Sequence, residues 1–144
     1  MNDGVKVKIA RGVNSLQTTT PTKSDSFKKI KIVDIIDVIH NDIKMTANDS
    51  YIGKVPNVYD NKVLLISAIL GYLDGLVTDQ LVDKGPLVGI DMVAQRAYLG
   101  SIGVDITTLT DRQIKEYDTS DKVFLGGNVK IVDAMEDIQL NITM

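Results

Sequence analysis

The stretch that decides the fold runs from residue 61 to residue 83 and reads NKVLLISAILGYLDGLVTDQLVD. Its apolar residues are dense enough to cover most of a helix's circumference. Asp60 or Asn61 can cap the first turn, and Gly85-Pro86 is a stop signal. We therefore predict a helix near 61–83, buried on most sides, at the centre of the core. Asp74 interrupts the apolar run, which argues against a membrane span.

Small residues recur every four positions along this helix, at Ser67, Gly71 and Gly75. That spacing lets a second backbone approach closely. Two partners fit the pattern: another helix of the same chain, which is the simpler interpretation, and a helix of another subunit. We take these three residues as helix-packing candidates.

Upstream, residues 30–45 are also rich in apolar side chains. Polar positions recur three or four residues apart, which predicts a helix, although the many β-branched residues also suit a strand. Residues 46–61 contain Gly53, Pro56 and several Asn and Asp residues, and predict a loop. His40, the single histidine, has no nucleophile motif beside it and is interpreted as a structural or surface residue.

Downstream, Pro86 can open a third helix over 87–99, which Gly100 would end. Thr110-Asp111-Arg112-Gln113 has the form of a capping box and predicts a short helix to about Tyr117.

The rest of the chain has β character. Residues 122–125 and 129–132 flank Gly126-Gly127-Asn128, which predicts a hairpin. Residues 138–144 alternate apolar and polar side chains, as a strand with one wet face does. The predicted class is α+β, with a helical middle between an N-terminal extended arm and C-terminal antiparallel strands.

Residues 1–29 are predicted to form an extended basic arm with a short strand, and residues 30–144 a single α+β domain. Residues 1–31 carry a formal charge of +5 and the remaining 113 residues carry −8. This asymmetry suggests an arm that docks on an acidic surface. The docking could occur on the arm's own body or on a neighbouring subunit, and the sequence leaves both open. A third alternative is a partner made of nucleic acid, although no aromatic residue interleaves with the basic ones.

Composition limits the chemistry. The chain has no cysteine, which excludes disulfides, thiolate metal sites and thiol catalysis. No apolar stretch follows Met1-Asn2-Asp3-Gly4, so no signal peptide is expected. The glycines lack the spacing of a phosphate-binding loop. Asp133, Glu136 and Asp137 could gather around a metal ion, but they equally suit a solvated connection. We expect no enzyme activity, no metal and no cofactor.

The Thr-rich segment within 14–26, the absence of Cys and Trp, the helical middle and the alternating tail at 137–142 together resemble virion structural proteins of tailed bacteriophages. The resemblance implies a non-catalytic component of a head-to-tail connector ring or an auxiliary capsid protein. It also implies a location in the virion, assembly in the host cytoplasm, and partners that are other copies and other structural proteins. No functional residue follows from it. The alternative is a small DNA-binding or regulatory protein that uses the basic arm.

The candidate subunit contacts lie at the two ends of the chain, where alternating segments could add to the sheet edge of a neighbour. Under this hypothesis we expect a homo-oligomer without a membrane partner. The candidates are Val5, Lys6, Val7, Lys8, Ile9, Arg11, Lys23, Ile138, Leu140 and Ile142.

Overall fold

A computed structural model describes residues 12–20, 25–137 and 139–141 of the chain. A short 3₁₀ helix, Asp25–Lys28, leads into the helices and strands. Their order is α1 (Ile30–Ser50), α2 (Tyr59–Thr78), β1 (Leu87–Ile90), α3 (Met92–Ser101), α4 (Asp111–Glu116) and β2 (Leu125–Asn128). The predicted α+β class is confirmed.

Helix α1 begins where the apolar pattern predicted and continues through residues 46–50, which were expected to be loop. It ends where the carbonyl of Ala47 accepts hydrogen bonds from the amides of both Tyr51 and Ile52. Residues of moderate helix propensity in its last turn stay helical because extending a helix that has already formed adds one hydrogen bond per residue.

The bounds of α2 differ from the prediction at both ends. Val58 is its N-cap and makes no side-chain capping bond, while the Asn61 amide donates to the carbonyl of Pro56. The helix ends at Thr78, well before Gly85-Pro86, and Gln80 adopts a left-handed backbone with φ 58°. The expected caps were therefore wrong.

The expectation that α2 is the centre of the core is also wrong for the described chain. Its fully buried residues are Lys62 and Leu73, whereas Leu64 is 61% exposed. The small core gathers one or two residues from each of several segments instead. Its buried apolar side chains are Ile32, Leu73, Val82, Leu99 and Ile114.

Strand β1 occupies the residues predicted to open a third helix. The helix α3 starts only after Asp91, whose carboxylate accepts hydrogen bonds from the amides of Val93 and Ala94. Pro86 therefore precedes a strand and does not open a helix, and the helix that follows has Asp91 as its N-cap.

The two strands form an antiparallel pair in which Leu87 faces Asn128 and Ile90 faces Leu125. The predicted hairpin at 122–132 is wrong, because Gly126 and Gly127 lie inside β2 and pair with β1. An isolated bridge between Val82 and Ile131 continues the ribbon. A side chain at Gly127 would place its Cβ 2.6 Å from the Leu87 carbonyl oxygen, so the glycine permits the close pairing.

The capping box before α4 is confirmed. The Thr110 hydroxyl accepts from the Gln113 amide, and the Gln113 side chain accepts from the Thr110 amide. Ile114 of this helix is buried, and its carbonyl accepts a hydrogen bond from the buried Gln95 side chain of α3. By starting α4 at this point, the capping box positions Ile114 for its contact with Gln95 in the core.

Candidate assembly surfaces

The three helix-packing candidates lie together on one exposed face of α2. Exposed residues recur three or four positions apart along it, from Asp60 through Leu64, Ala68 and Asp74 to Thr78, and Ser67, Gly71 and Gly75 belong to this set. A Cβ added at Gly71 or Gly75 would meet nothing within 4 Å. No other described element therefore packs on this face, so the described residues show no tight crossing within the chain, and the choice between the two partners stays a prediction.

The opposite face of α2 is held by the rest of the molecule. The Tyr72 hydroxyl donates a 2.7 Å hydrogen bond to the Asp42 carboxylate of α1, and burial followed by this contact raises the pKa of Tyr72 to about 12. Leu73, the next residue, is 1% exposed. These contacts orient the helix so that its small residues point outward.

In the described chain α2 is also the one helix long and apolar enough, by length and composition alone, to cross a membrane. Only 11% of its apolar window is buried inside the molecule. A helix that is both apolar and uncovered needs a partner, which can be other protein or lipid.

A second apolar surface lies between α1 and the segment that follows β2. Ile36, Ile39 and Ile43 of α1 face Val129 and Ile131 across a groove of about 690 Å³. His40 stands at the margin of the groove as an exposed residue, as expected from its sequence context. The β-branched residues of α1 thus line a surface feature of the described molecule.

The terminal contact candidates are only partly within the described residues. Val5, Lys6, Val7, Lys8, Ile9, Arg11, Lys23, Ile138 and Ile142 lie outside them. Leu140 is described and is 78% exposed, and residues 132–137 and 139–141 form no strand with any described segment.

The described end of the arm contacts the residues around the start of α1. Val13 bridges Lys29, the Asn14 amide donates to the Lys28 carbonyl, and the Ile30 amide donates to the Gly12 carbonyl. This places residues 12–14 beside the start of α1. The course of residues 1–11, and the predicted domain division at residue 29, stay predictions.

The acidic turn near the C-terminal end forms ion pairs with a lysine. The Lys29 ammonium lies 2.5 Å from Asp133 and 3.2 Å from Glu136, and its hydrogen bond to Asp133 is the main influence that lowers the pKa of that carboxyl. No group of metal-binding side chains occurs among the described residues. The carboxylates instead attach the C-terminal segment to the residue that precedes α1.

A third feature, which the sequence analysis missed, surrounds Lys62 in the first turn of α2. This lysine is 3% exposed, and its ammonium donates a 3.0 Å hydrogen bond to the Thr119 hydroxyl. Burial, the largest influence, lowers the pKa of Lys62, and the charge of Asp118 opposes that effect. The Asn57 amide also donates to Thr119, and to the carbonyls of Ser120 and Lys122.

The sequence held a weak signal for this network. Lys62 is the one basic residue between Lys54 and Lys84, and it adjoins the apolar run VLLI. A charge at the edge of such a run is usually solvated because its long stem can reach water. Nothing in the sequence indicated that the segment around Thr119 would cover it.

Comparison with known proteins adds two findings. The family model described as phage tail sheath C-terminal domain matches residues 22–144. The chain is also 42% identical over 139 residues to a protein named tail sheath protein from Clostridium phage phiCD119. That alignment covers 96% of this chain and 39% of the relative, so the chain spans about two fifths of the relative's length.

Proposed function

Because the chain belongs to the phage tail sheath C-terminal domain family, we propose that it acts as a self-associating building unit of a phage tail sheath. Membership confirms the expectation of a tailed-phage virion structural protein. It corrects the finer expectation, because the match is to a tail sheath and not to a connector ring or a capsid auxiliary protein. The DNA-binding alternative is not favoured. Absence of catalysis and assembly in the host cytoplasm stay predictions.

The observation that carries the proposal is the uncovered face of α2. A 20-residue apolar helix with two fully buried residues leaves much of its surface in water. Burying apolar surface is worth about 25 cal/mol per Å². Repeated copies of one subunit could cover this face, with the small residues allowing close approach of a neighbouring backbone.

Membrane insertion is the competing explanation for an apolar helix. Lys62 and Tyr72 of α2 are both engaged with other parts of the chain, through Thr119 and Asp42. Insertion would break these contacts and leave polar groups unpaired in hydrocarbon. We therefore expect protein, and not lipid, to cover α2. Flotation with phosphatidylcholine vesicles should leave the chain unbound at the bottom of the gradient.

Light scattering on the intact chain tests self-association as its concentration is raised. We expect the mass to rise beyond that of one chain and electron micrographs to show repeating assemblies. Gly71→Leu should reduce the association, because the added side chain has free space in one molecule but obstructs a close neighbour.

Gly100→Leu is the matched control. Gly100 is also an exposed helical glycine with nothing within 4 Å of an added Cβ, but it lies on α3. The Gly100→Leu variant should associate as the unmodified chain does. A chain that stays monomeric at every concentration, or a Gly71→Leu variant that associates normally, would contradict the proposed role of this face.

A further inference from the structure

A cavity of about 470 Å³ opens beside Lys62, between the end of α1, the connection to α2 and the segment before β2. Its rim is apolar and exposed: Ile52 is 65%, Val55 37% and Val123 42% exposed. Lys62, at 3% exposed, lies at the bottom. An apolar rim around a buried cation is the arrangement of a pocket that selects one kind of side chain.

Within the described part of the chain the Lys62 ammonium has no anion in direct contact, although the charge of Asp118 acts on it from farther away. No carboxylate of those residues lies within 4.0 Å of its ammonium, and the Thr119 hydroxyl is its one hydrogen-bond acceptor among them. An ammonium has three donors, so its capacity exceeds this single contact. A buried cation without an anion is costly, and an incoming negative group would lower that cost.

A second polar group in the same cavity lacks a partner. The Asn57 amide nitrogen donates to the carbonyls of Ser120 and Lys122 at 2.8 and 2.9 Å. Because carbonyls only accept, these contacts determine which side of the amide carries the oxygen. That oxygen, Oδ1, is buried and accepts no hydrogen bond from any described residue. The wall of the cavity therefore contains a buried cationic donor and a buried acceptor that has no partner among the described residues.

The complementary ligand has an anionic oxygen, a nearby N–H and an aliphatic part. Inorganic phosphate supplies no aliphatic part for the rim, and a water molecule carries no charge. We propose that this cavity binds the carboxylate side chain of an Asp or Glu from a neighbouring protein chain, with that residue's peptide N–H donating to Asn57 Oδ1. The identity of the neighbour as another sheath subunit rests on the proposed function. The inference that the cavity binds a carboxylate does not depend on that function.

Saturation-transfer difference NMR on the intact chain tests the proposal, because this method detects weak ligands on large assemblies. The probe is the dipeptide N-acetyl-leucyl-glutamate amide, and its control is the same dipeptide with glutamine. We expect saturable binding that is about tenfold tighter for the glutamate peptide, which corresponds to about 1.4 kcal/mol. Equal binding of the two peptides, or no binding, would overturn the proposal.

Lys62→Met removes the charge and keeps much of the stem, and should abolish the preference for glutamate. Lys115→Met makes the same change at an exposed residue of α4 and should keep the preference. If Lys62→Met does not fold, Val123→Glu provides the second test, because a carboxylate at the exposed rim should repel the acidic peptide. Retained preference in a folded Lys62→Met variant, or in Val123→Glu, would show that the peptide binds elsewhere.

Light scattering on the same samples separates this inference from the proposed function. Glutamate-selective binding without self-association would contradict only the sheath role. Self-association without glutamate-selective binding would contradict only the acidic pocket.

Discussion

Single residues in this molecule have roles that depend on one close neighbour. Gly127 is required because the Leu87 carbonyl oxygen occupies the space that a Cβ would need. Tyr72 joins two helices through one hydrogen bond to Asp42. Lys62 and Asn57 are positioned by Thr119 and the residues after it. In each case the neighbour is at least 15 positions away along the chain, so its identity could not be read from local sequence.

Gly127→Ala should destabilise the chain. An alanine in a strand is ordinarily better than glycine by about 0.5–1 kcal/mol, but here its Cβ would lie 2.6 Å from a backbone oxygen that cannot swing away. We expect the overlap to outweigh the gain and to cost about 1–3 kcal/mol, as overpacking does. Urea unfolding measures the difference.

Gly100→Ala serves as the control for that change. Its added methyl meets nothing within 4 Å, and Gly100 lies in a helix, so this variant should be neutral or more stable by up to about 1 kcal/mol. If both alanine variants were equally stable, the close approach at Gly127 would not restrict that position.

Tyr72→Phe should lower stability by about 0.5–1.5 kcal/mol, because it removes one hydrogen bond and leaves Asp42 without that donor. The raised pKa, about 12 against an ordinary value of 10.0, means that folding favours the neutral phenol. That contribution is complete below pH 10 and is lost as the pH rises towards 12.

Absorbance titration of the tyrosinates checks this assignment. Tyr72 should ionise late in the folded protein, and this late step should be missing in Tyr72→Phe. A titration curve that the substitution leaves unchanged in shape would mean that another tyrosine is the shifted one.

At the level of elements, α2 shows that helix formation and helix burial are separate questions. Its apolar density correctly predicted a helix, since a continuous apolar segment free of proline forms one readily. The same density was interpreted as burial in the core, and this was wrong for the described residues, because the other described elements, including the short two-stranded sheet, do not surround the helix. The apolar surface that the described residues leave exposed is the surface that the proposed assembly would bury.

Two substitutions to aspartate on α2 should separate its two faces. Leu73→Asp buries a carboxylate at a residue 1% exposed and should cost several kcal/mol, on the order of 3 or more, so that the chain unfolds at lower temperature or does not fold. Leu64→Asp, at a residue 61% exposed, should change the melting temperature little but weaken self-association.

Val93→Asp is the control for the second variant, because Val93 is 81% exposed and lies on α3. It should fold and associate as the unmodified chain does. A Leu64→Asp chain that associates normally would show that the exposed face of α2 is not a subunit contact.

On the scale of the whole molecule, charge is divided between the two parts of the chain. The first 31 residues carry +5 and the other 113 carry −8. The two parts meet in the described chain where Lys29 pairs with Asp133 and Glu136, whereas the pairing of residues 12–14 with 28–30 lies within the basic part. Copies with this distribution attract one another when the basic end of one approaches the acidic body of the next.

Removing residues 1–11 should therefore lower the mass of the assembly. That segment contains Val5, Val7 and Ile9, which could add a strand to a neighbour's sheet edge, and the basic residues Lys6, Lys8 and Arg11. Light scattering in a series of salt concentrations measures the effect. The intact chain should dissociate as salt rises, since screening shortens the reach of exposed charges to about 8 Å near physiological ionic strength.

A full-length variant with Lys6, Lys8 and Arg11 changed to glutamine separates charge from chain length. At low salt, the mass of the assembly formed by this variant should be as low as that of the intact chain at high salt. If the truncated, neutralised and intact chains had equal masses at every salt concentration, the arm would not connect subunits.

By itself, the sequence determined what is local or compositional. Apolar spacing of three and four residues predicted α1 and α2, and the Thr110–Gln113 capping box predicted α4 with its N-cap, because helix hydrogen bonds and caps join residues at most a few positions apart. Its arm, terminal alternation and lack of Cys and Trp also led to the right kind of protein, a tailed-phage structural component.

Tertiary structure alone decided how distant segments meet. It paired Leu87–Ile90 with Leu125–Asn128 in place of the local hairpin, and it left Ser67, Gly71 and Gly75 uncovered by any described segment. It also buried Lys62 beneath residues more than 50 positions later. The physical reason is that strand pairing and burial depend on contacts between parts of the chain that are far apart in sequence, and a pattern of residue types along one segment does not specify its partner.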